Sequence, residues 1–140
     1  MDLASSLAER ESAHLSVVHA WRLFGESMLR SGRARLSPTE VDQLIQGTRD
    51  QHRDRLQALL NHYGMDTADP AVHLVHGEPA PSIRALSLEL DADLVVMGTL
   101  GRSGVPGLII GNTAEDVLQS TQASVLAVKP KGFVSPVVDH

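Results

Sequence analysis

The chain has 140 residues, 42% of them hydrophobic and 21% charged, with a net charge of −5. That is an ordinary globular composition of about one domain, and its acidic balance argues against a surface built to attract nucleic-acid phosphates or anionic membranes. There is no cysteine, which excludes disulfides and thiolate metal or redox sites, and aromatic residues are only 3%, too few for a base-stacking platform.

No apolar run approaches the ~20 residues of a membrane span. The N-terminus lacks the basic start and apolar core of a signal peptide. The expected location is therefore the cytoplasm.

In chain order, residues 3–12, "LASSLAERES", read as a helix, with Leu3, Leu7 and Ala8 at helical spacing. "HLSVVHAW" (14–21) is Val-rich and reads as a strand. "RLFGESMLRSGRARL" mixes charge, Gly and Ser and reads as an irregular loop. "SPTE" (37–40) opens a long helix: Ser37 caps, Pro38 suits the first turn and Glu40 closes a capping box. Val41, Leu44, Ile45, Thr48, Leu56, Leu59 and Leu60 mark its apolar face, and Gly64 stops it.

"AVHLVHG" (71–77) is a short strand, and "EPAPSIRALSLELD" a helix with Ile83, Leu86 and Leu90 on one face. "DLVVMG" (93–98) is a continuous apolar strand, as expected when both faces are covered. "NTAEDVLQST" is a helix, "ASVLAVK" a last strand and "GFVSPVVDH" a tail. The alternation predicts parallel strands joined by right-handed crossovers in a three-layer α/β sheet. Residues 1–130 read as one domain and 131–140 as a tail.

The stretch "MGTLGRSGVPGLIIGNTAEDVL" (97–118) holds five of the eleven glycines. Ligands of open α/β sheets sit beyond the carboxyl ends of the strands, and this stretch lies at such an end. Gly98 and Gly101 would let backbone approach a ligand, and Gly111 precedes a helix N-terminus suited to phosphate. The same residues also make a plain turn, with Asn112 and Glu115 as an ordinary capping pair. Spacing alone leaves both readings open. No Walker lysine follows the last glycine, so the stretch is not a P-loop.

These residues resemble the signature of the universal stress protein family, G-x2-G-x9-G-[ST], at Gly98, Gly101 and Gly111. The flanks "ADLVVMGT", "NTAEDVL" and "SVLAVKP" agree, and "VHGEPAPSI" is similar to the family's third strand and following turn. "IGNTAE" and the tail after "VKP" look most like the second half of tandem, E-type members. The resemblance implies a Rossmann-like, adenine-binding α/β fold and a site for ATP or AMP. Gly98, Gly101 and Gly111 would make its backbone contacts, and Met97 and Val18 would flank the nucleoside. Two departures stand out. Asn112 occupies the Ser/Thr position, with Thr113 one residue later. The family's opening strand, of the type "ILVAVDGS", is absent, since this chain starts in the following helix. In the family's order, 3-2-1-4-5, that strand is central. The resemblance thus implies a truncated frame or an excised half of a tandem protein, whose remaining strands need other partners.

Other constellations read as structural. His73 and His76, three apart on a strand, point to opposite faces. His14 and His19, five apart, have the same problem, and no HExxH pattern occurs. Arg30, Arg33 and Arg35 read as a solvated face rather than an anion clamp. Ser103 lacks a nucleophile elbow, Trp21 reads as core, and Met28 and Met65 as gap fillers. Without a general base, metal cluster or positioned nucleophile, the chain reads as a module that binds or senses rather than catalyses. Its expected partners are a second copy, met through the last strand at Val125, Leu126 and Val128, or a second universal-stress domain. The rival reading is an adenine-nucleotide binder with at most slow hydrolysis.

Overall fold

A computed structural model describes residues 1–99 and 110–133. They fall into two compact units, Met1–Glu78 and a second that begins at Pro79.

In the first unit, α1 (Asp2–Glu11) is followed by β1 (Val17–Trp21), the one-turn helix α2 (Glu26–Arg30), the long helix α3 (Pro38–Leu60) and β2 (Val72–His76). The two strands are parallel and run in register from Val17↔Val72 to Trp21↔His76. Parallel neighbours need a long crossover, and α3 lies within it. Its start follows from the sequence. The Ser37 hydroxyl accepts the Glu40 N–H at 3.2 Å, and the Glu40 carboxylate accepts the Ser37 N–H at 2.7 Å. The bond from the Ser37 N–H holds the Glu40 carboxyl below its usual range. At the other end the helix tightens into a 3-10 turn (Asn61–Tyr63) and stops at Gly64, whose φ of 65° favours glycine.

The core of this unit is Val17, Leu56, Leu60 and Val72, with Met1, Met65 and Leu74 packed against it. Met65 is thus the gap filler expected, and Trp21 is buried as expected, whereas Met28 is 63% exposed and fills nothing. The expected apolar face of α3 is only partly used: Val41, Leu56 and Leu60 are buried, but Leu44 and Leu59 are exposed. A 23-residue helix is about 35 Å long. Strands of five residues span about 17 Å, so two of them cannot cover it. The stretch read as an irregular loop contains α2. Gly25 enters it in the left-handed conformation, and Glu26 accepts a bond from Arg30 across its single turn at 2.9 Å. One turn is too short to show periodicity.

The second unit contains α4 (Pro79–Glu89), β3 (Leu94–Gly98), α5 (Asn112–Ser120) and β4 (Ser124–Val128). β3 and β4 are parallel, in register from Leu94↔Ser124 to Gly98↔Val128. α4 and α5 pack together, burying Ala80, Ser87, Ala114 and Val117, with the Ser87 and Thr121 hydroxyls 3.3 Å apart. The expectation that β3 is covered on both faces is not met: Leu94 and Gly98 are exposed and Val95–Met97 only half-buried. Among the described residues, β3 bonds to β4 alone.

The chain therefore has the helices and parallel strands of a Rossmann-like α/β fold. Its pairings, β1 with β2 and β3 with β4, are those of neighbours 2 and 3 and neighbours 4 and 5 in the order 3-2-1-4-5. The tail from residue 134 onward lies outside the described residues.

Candidate functional site

The glycine stretch begins where β3 ends. Thr99 extends the pairing with β4 by donating its N–H to the Val128 carbonyl at 3.1 Å. Its own carbonyl accepts the N–H of Gly111 at 2.5 Å. One backbone bond thus joins the end of β3 to the residue that precedes α5.

Gly111 is the cap of α5. It is extended (φ −82°, ψ 157°), and its carbonyl accepts the Glu115 N–H at 3.0 Å. This corrects the reading of Asn112 and Glu115 as a capping pair. Asn112 is the first helical residue, no side chain caps the helix, and Glu115 instead accepts a bond from Gln119 at 3.3 Å. A glycine that adopts the extended cap conformation leaves Asn112 one position too late. The N–H groups of Asn112, Thr113 and Ala114 have no intrahelical acceptor. With the helix dipole, they make an end suited to an anion.

Two further features belong to this end. A Cβ built on Gly98 would meet no atom of the described residues within 4 Å, and its φ is not one that demands glycine. Thr99 is 3% exposed, and its hydroxyl has no hydrogen-bond partner among the described residues. Sequence reasoning passed over Thr99. The available signal was a polar residue directly continuing an apolar strand. Of the expected site residues, Met97 is half-buried on β3 opposite Ala127. Met97, Gly98, Gly111, Asn112 and Thr113 all belong to the second unit. Val18 belongs to the first, half-buried on β1 opposite His73. Gly101 lies outside the described residues.

The first unit has a polar cluster at the carboxyl ends of its strands. His76 stacks on Trp21, with ring centroids 4.4 Å apart and planes 10° apart. His76 Nε2 lies 2.8 Å from a Glu26 carboxylate oxygen. Arg30 donates to Glu26, lies 3.6 Å from Asp42 and is thereby held by carboxylates; Arg33 and Arg35 are exposed. The Arg30 bond, with that of His76, keeps the Glu26 carboxyl below its usual range. An Arg22–Glu78 ion pair stands nearby. Arg22, Glu26, Arg30, His76 and Glu78 line an open groove of about 480 Å³.

His19 Nε2 on β1 and His52 Nδ1 on α3 are 2.8 Å apart. Burial pushes the His19 ring below its usual value, followed by the charges of His52 and Arg55. Burial and then Arg55 do the same to His52. Among the described residues, no group of three or more His, Asp or Glu side chains could hold a metal ion. No described helix is long and apolar enough to cross a membrane.

The profile of the universal stress protein family matches residues 1–129. The "Universal stress protein E homolog" of Haemophilus influenzae is 36% identical over 84 residues, which is 60% of this chain and 26% of that protein. "Universal stress protein E" of Escherichia coli K12 is 35% identical over 89 residues, 64% of this chain and 28% of that protein, and the match falls in its C-terminal part. A solved structure, a putative universal stress protein from Pseudomonas aeruginosa UCBPP-PA14, superposes with a TM-score of 0.64 at 26% identity, covering 92% of this chain and 39% of that one. The chain spans about a quarter of the length of the two curated relatives.

Proposed function

This chain belongs to the universal stress protein family, and we propose that it serves as a non-catalytic, cytoplasmic stress-response module that acts through contact with a second domain of its own kind. The observation that carries this reading is β4. The strand is apolar, and among the described residues it is hydrogen-bonded along one edge only, to β3. A free apolar edge is a liability that proteins cover. A two-fold contact there would be isologous, setting Val125, Leu126 and Val128 against their own copies or near neighbours. Pro130 has no N–H to donate and would end the pairing. The second domain is another copy of the chain or the other half of a tandem protein.

Light scattering tests this directly. The expected mass is twice the 15.0 kDa of the chain or a higher even multiple. Leu126→Lys is expected to break the assembly or unfold the chain. A parent that melts cooperatively yet stays monomeric at high micromolar concentration overturns the reading.

A second reading, an adenine-nucleotide site for ATP or AMP, is favoured by the space at Gly98 among the described residues, the buried Thr99 hydroxyl and the N–H groups of Asn112–Ala114, which have no acceptor within α5. Against tight binding stands Asn112, where the family places Ser or Thr. We expect ATP affinity weaker than about 100 μM, less than roughly 5.5 kcal/mol. Native mass spectrometry that finds a co-purified nucleotide, or calorimetry with low-micromolar affinity, would replace the first reading with this one.

A further inference from the structure

We propose that the hydrogen bond between His19 and His52 is a proton-operated latch that holds α3 against β1 and opens when the surroundings turn acidic. The argument begins with the bond itself. His19 Nε2 and His52 Nδ1 are 2.8 Å apart, on residues 33 apart in sequence, one on a strand and one on a helix. Such a contact needs one N–H and one lone pair. Two neutral rings satisfy it, and so does a pair that shares a single extra proton. A pair in which both facing nitrogens carry a proton cannot, because two donors then meet head on.

The surroundings oppose even the first extra proton. Both rings are partly buried, which disfavours their charged forms. Arg55, on the same helix as His52, adds positive charge beside both. Neither ring has a carboxylate as hydrogen-bond partner among the described residues. β2 contributes His76, which stacks on Trp21, while the Trp21 ring also lies 5.8 Å from that of His52. Glu26 of α2, which His76 contacts, is also engaged by Arg30.

The consequence is mechanical. His52 sits one turn before Leu56 and two before Leu60, the two residues through which α3 enters the core of the unit. Losing the His19–His52 bond releases the helix just ahead of its core anchors. Acidification is thus a stimulus that this unit registers through two side chains, independently of the glycine loop.

Hydrogen exchange of the full chain tests the latch, with α5 amides as internal reference. Once corrected for the intrinsic pH dependence of exchange, the opening constant of α3 amides around 49–56 should rise as pH falls from about 7.5 to about 5.5. The rise should reach up to about tenfold per pH unit for each proton taken up on opening. His52→Gln and His19→Gln each replace a titrating ring with an amide that can donate or accept at any of these pH values, and each should flatten the response. An unchanged response in both variants, or no response in the parent, overturns the proposal. Should either variant fail to fold, NMR titration of the parent decides. Coupled, two-step titration of the His19 and His52 rings supports the latch, and two independent single-step curves overturn it.

Discussion

The N–H of Gly111 meets the carbonyl of Thr99 at 2.5 Å, which ties the end of β3 to the cap of α5. The same threonine carries a buried hydroxyl with no partner among the described residues. Thr99→Val keeps the shape, the backbone bond and the burial while deleting that hydroxyl. Removal of an unpaired buried polar group is neutral or stabilising, by up to about 1 kcal/mol. Urea denaturation of the unliganded protein should show this, and a loss of similar size would mean that the hydroxyl is satisfied.

The two helix starts give contrasting expectations. At α3 the Ser37 hydroxyl accepts the Glu40 N–H, so Ser37→Ala should cost about 1 kcal/mol. At α5 the cap is Gly111 and Asn112 makes no capping bond, so Asn112→Ala should stay within about 0.5 kcal/mol of the parent. Urea midpoints of the two variants measured side by side check both; equal losses would contradict the assignment of the caps.

These caps also show what the sequence disclosed and what it withheld. Ser37, Pro38 and Glu40 form a local signature, and a local signature folds as read. The start of α5 went astray by one residue because glycine and asparagine both serve as caps; the choice rests on the Thr99–Gly111 bond, which local pattern does not reveal. Parallel strands were legible from the alternation of strands and helices, and the glycine signature pointed to the family. The His19–His52 contact was not legible. His19 lies on a strand and His52 on a helix, and their meeting depends on how α3 packs across β1. Spacing along the chain relates a histidine only to its sequence neighbours and gives no sign of a pair 33 residues apart.

Adjacent leucines near the end of α3 test the packing of that helix. Leu60 is fully buried in the core, whereas Leu59 is 44% exposed. Leu60→Ala should cost about 2–5 kcal/mol, as cavity-forming substitutions do. Leu59→Ala should cost less than about 1 kcal/mol. Thermal melts that rank the two in the opposite order would mean that α3 is rotated about its axis from the arrangement described.

Arg55 offers a test that leaves both histidines in place. Burial comes first among the causes that push His19 and His52 below the ordinary value of about 6.5, and Arg55 adds to it in both cases. A depressed value in the folded state means that the unfolded chain takes up its proton first as pH falls. The stability tied to the neutral rings is therefore complete above about pH 6.5 and is lost as pH falls through the folded-state values. Arg55→Gln removes the positive charge and keeps a polar side chain of similar reach. The folded values should then rise towards 6.5, which narrows the window in which folded and unfolded chains differ in protonation. Burial remains, so the loss is reduced rather than abolished. Urea stability measured between about pH 7.5 and 5, above the range where most carboxylates titrate, should fall less steeply in Arg55→Gln than in the parent. The difference between the two proteins should be constant above about pH 7.5, where all four ring states are neutral. A slope unchanged by the substitution would show that Arg55 does not act on the pair, and a steeper slope would reverse the sign of its influence.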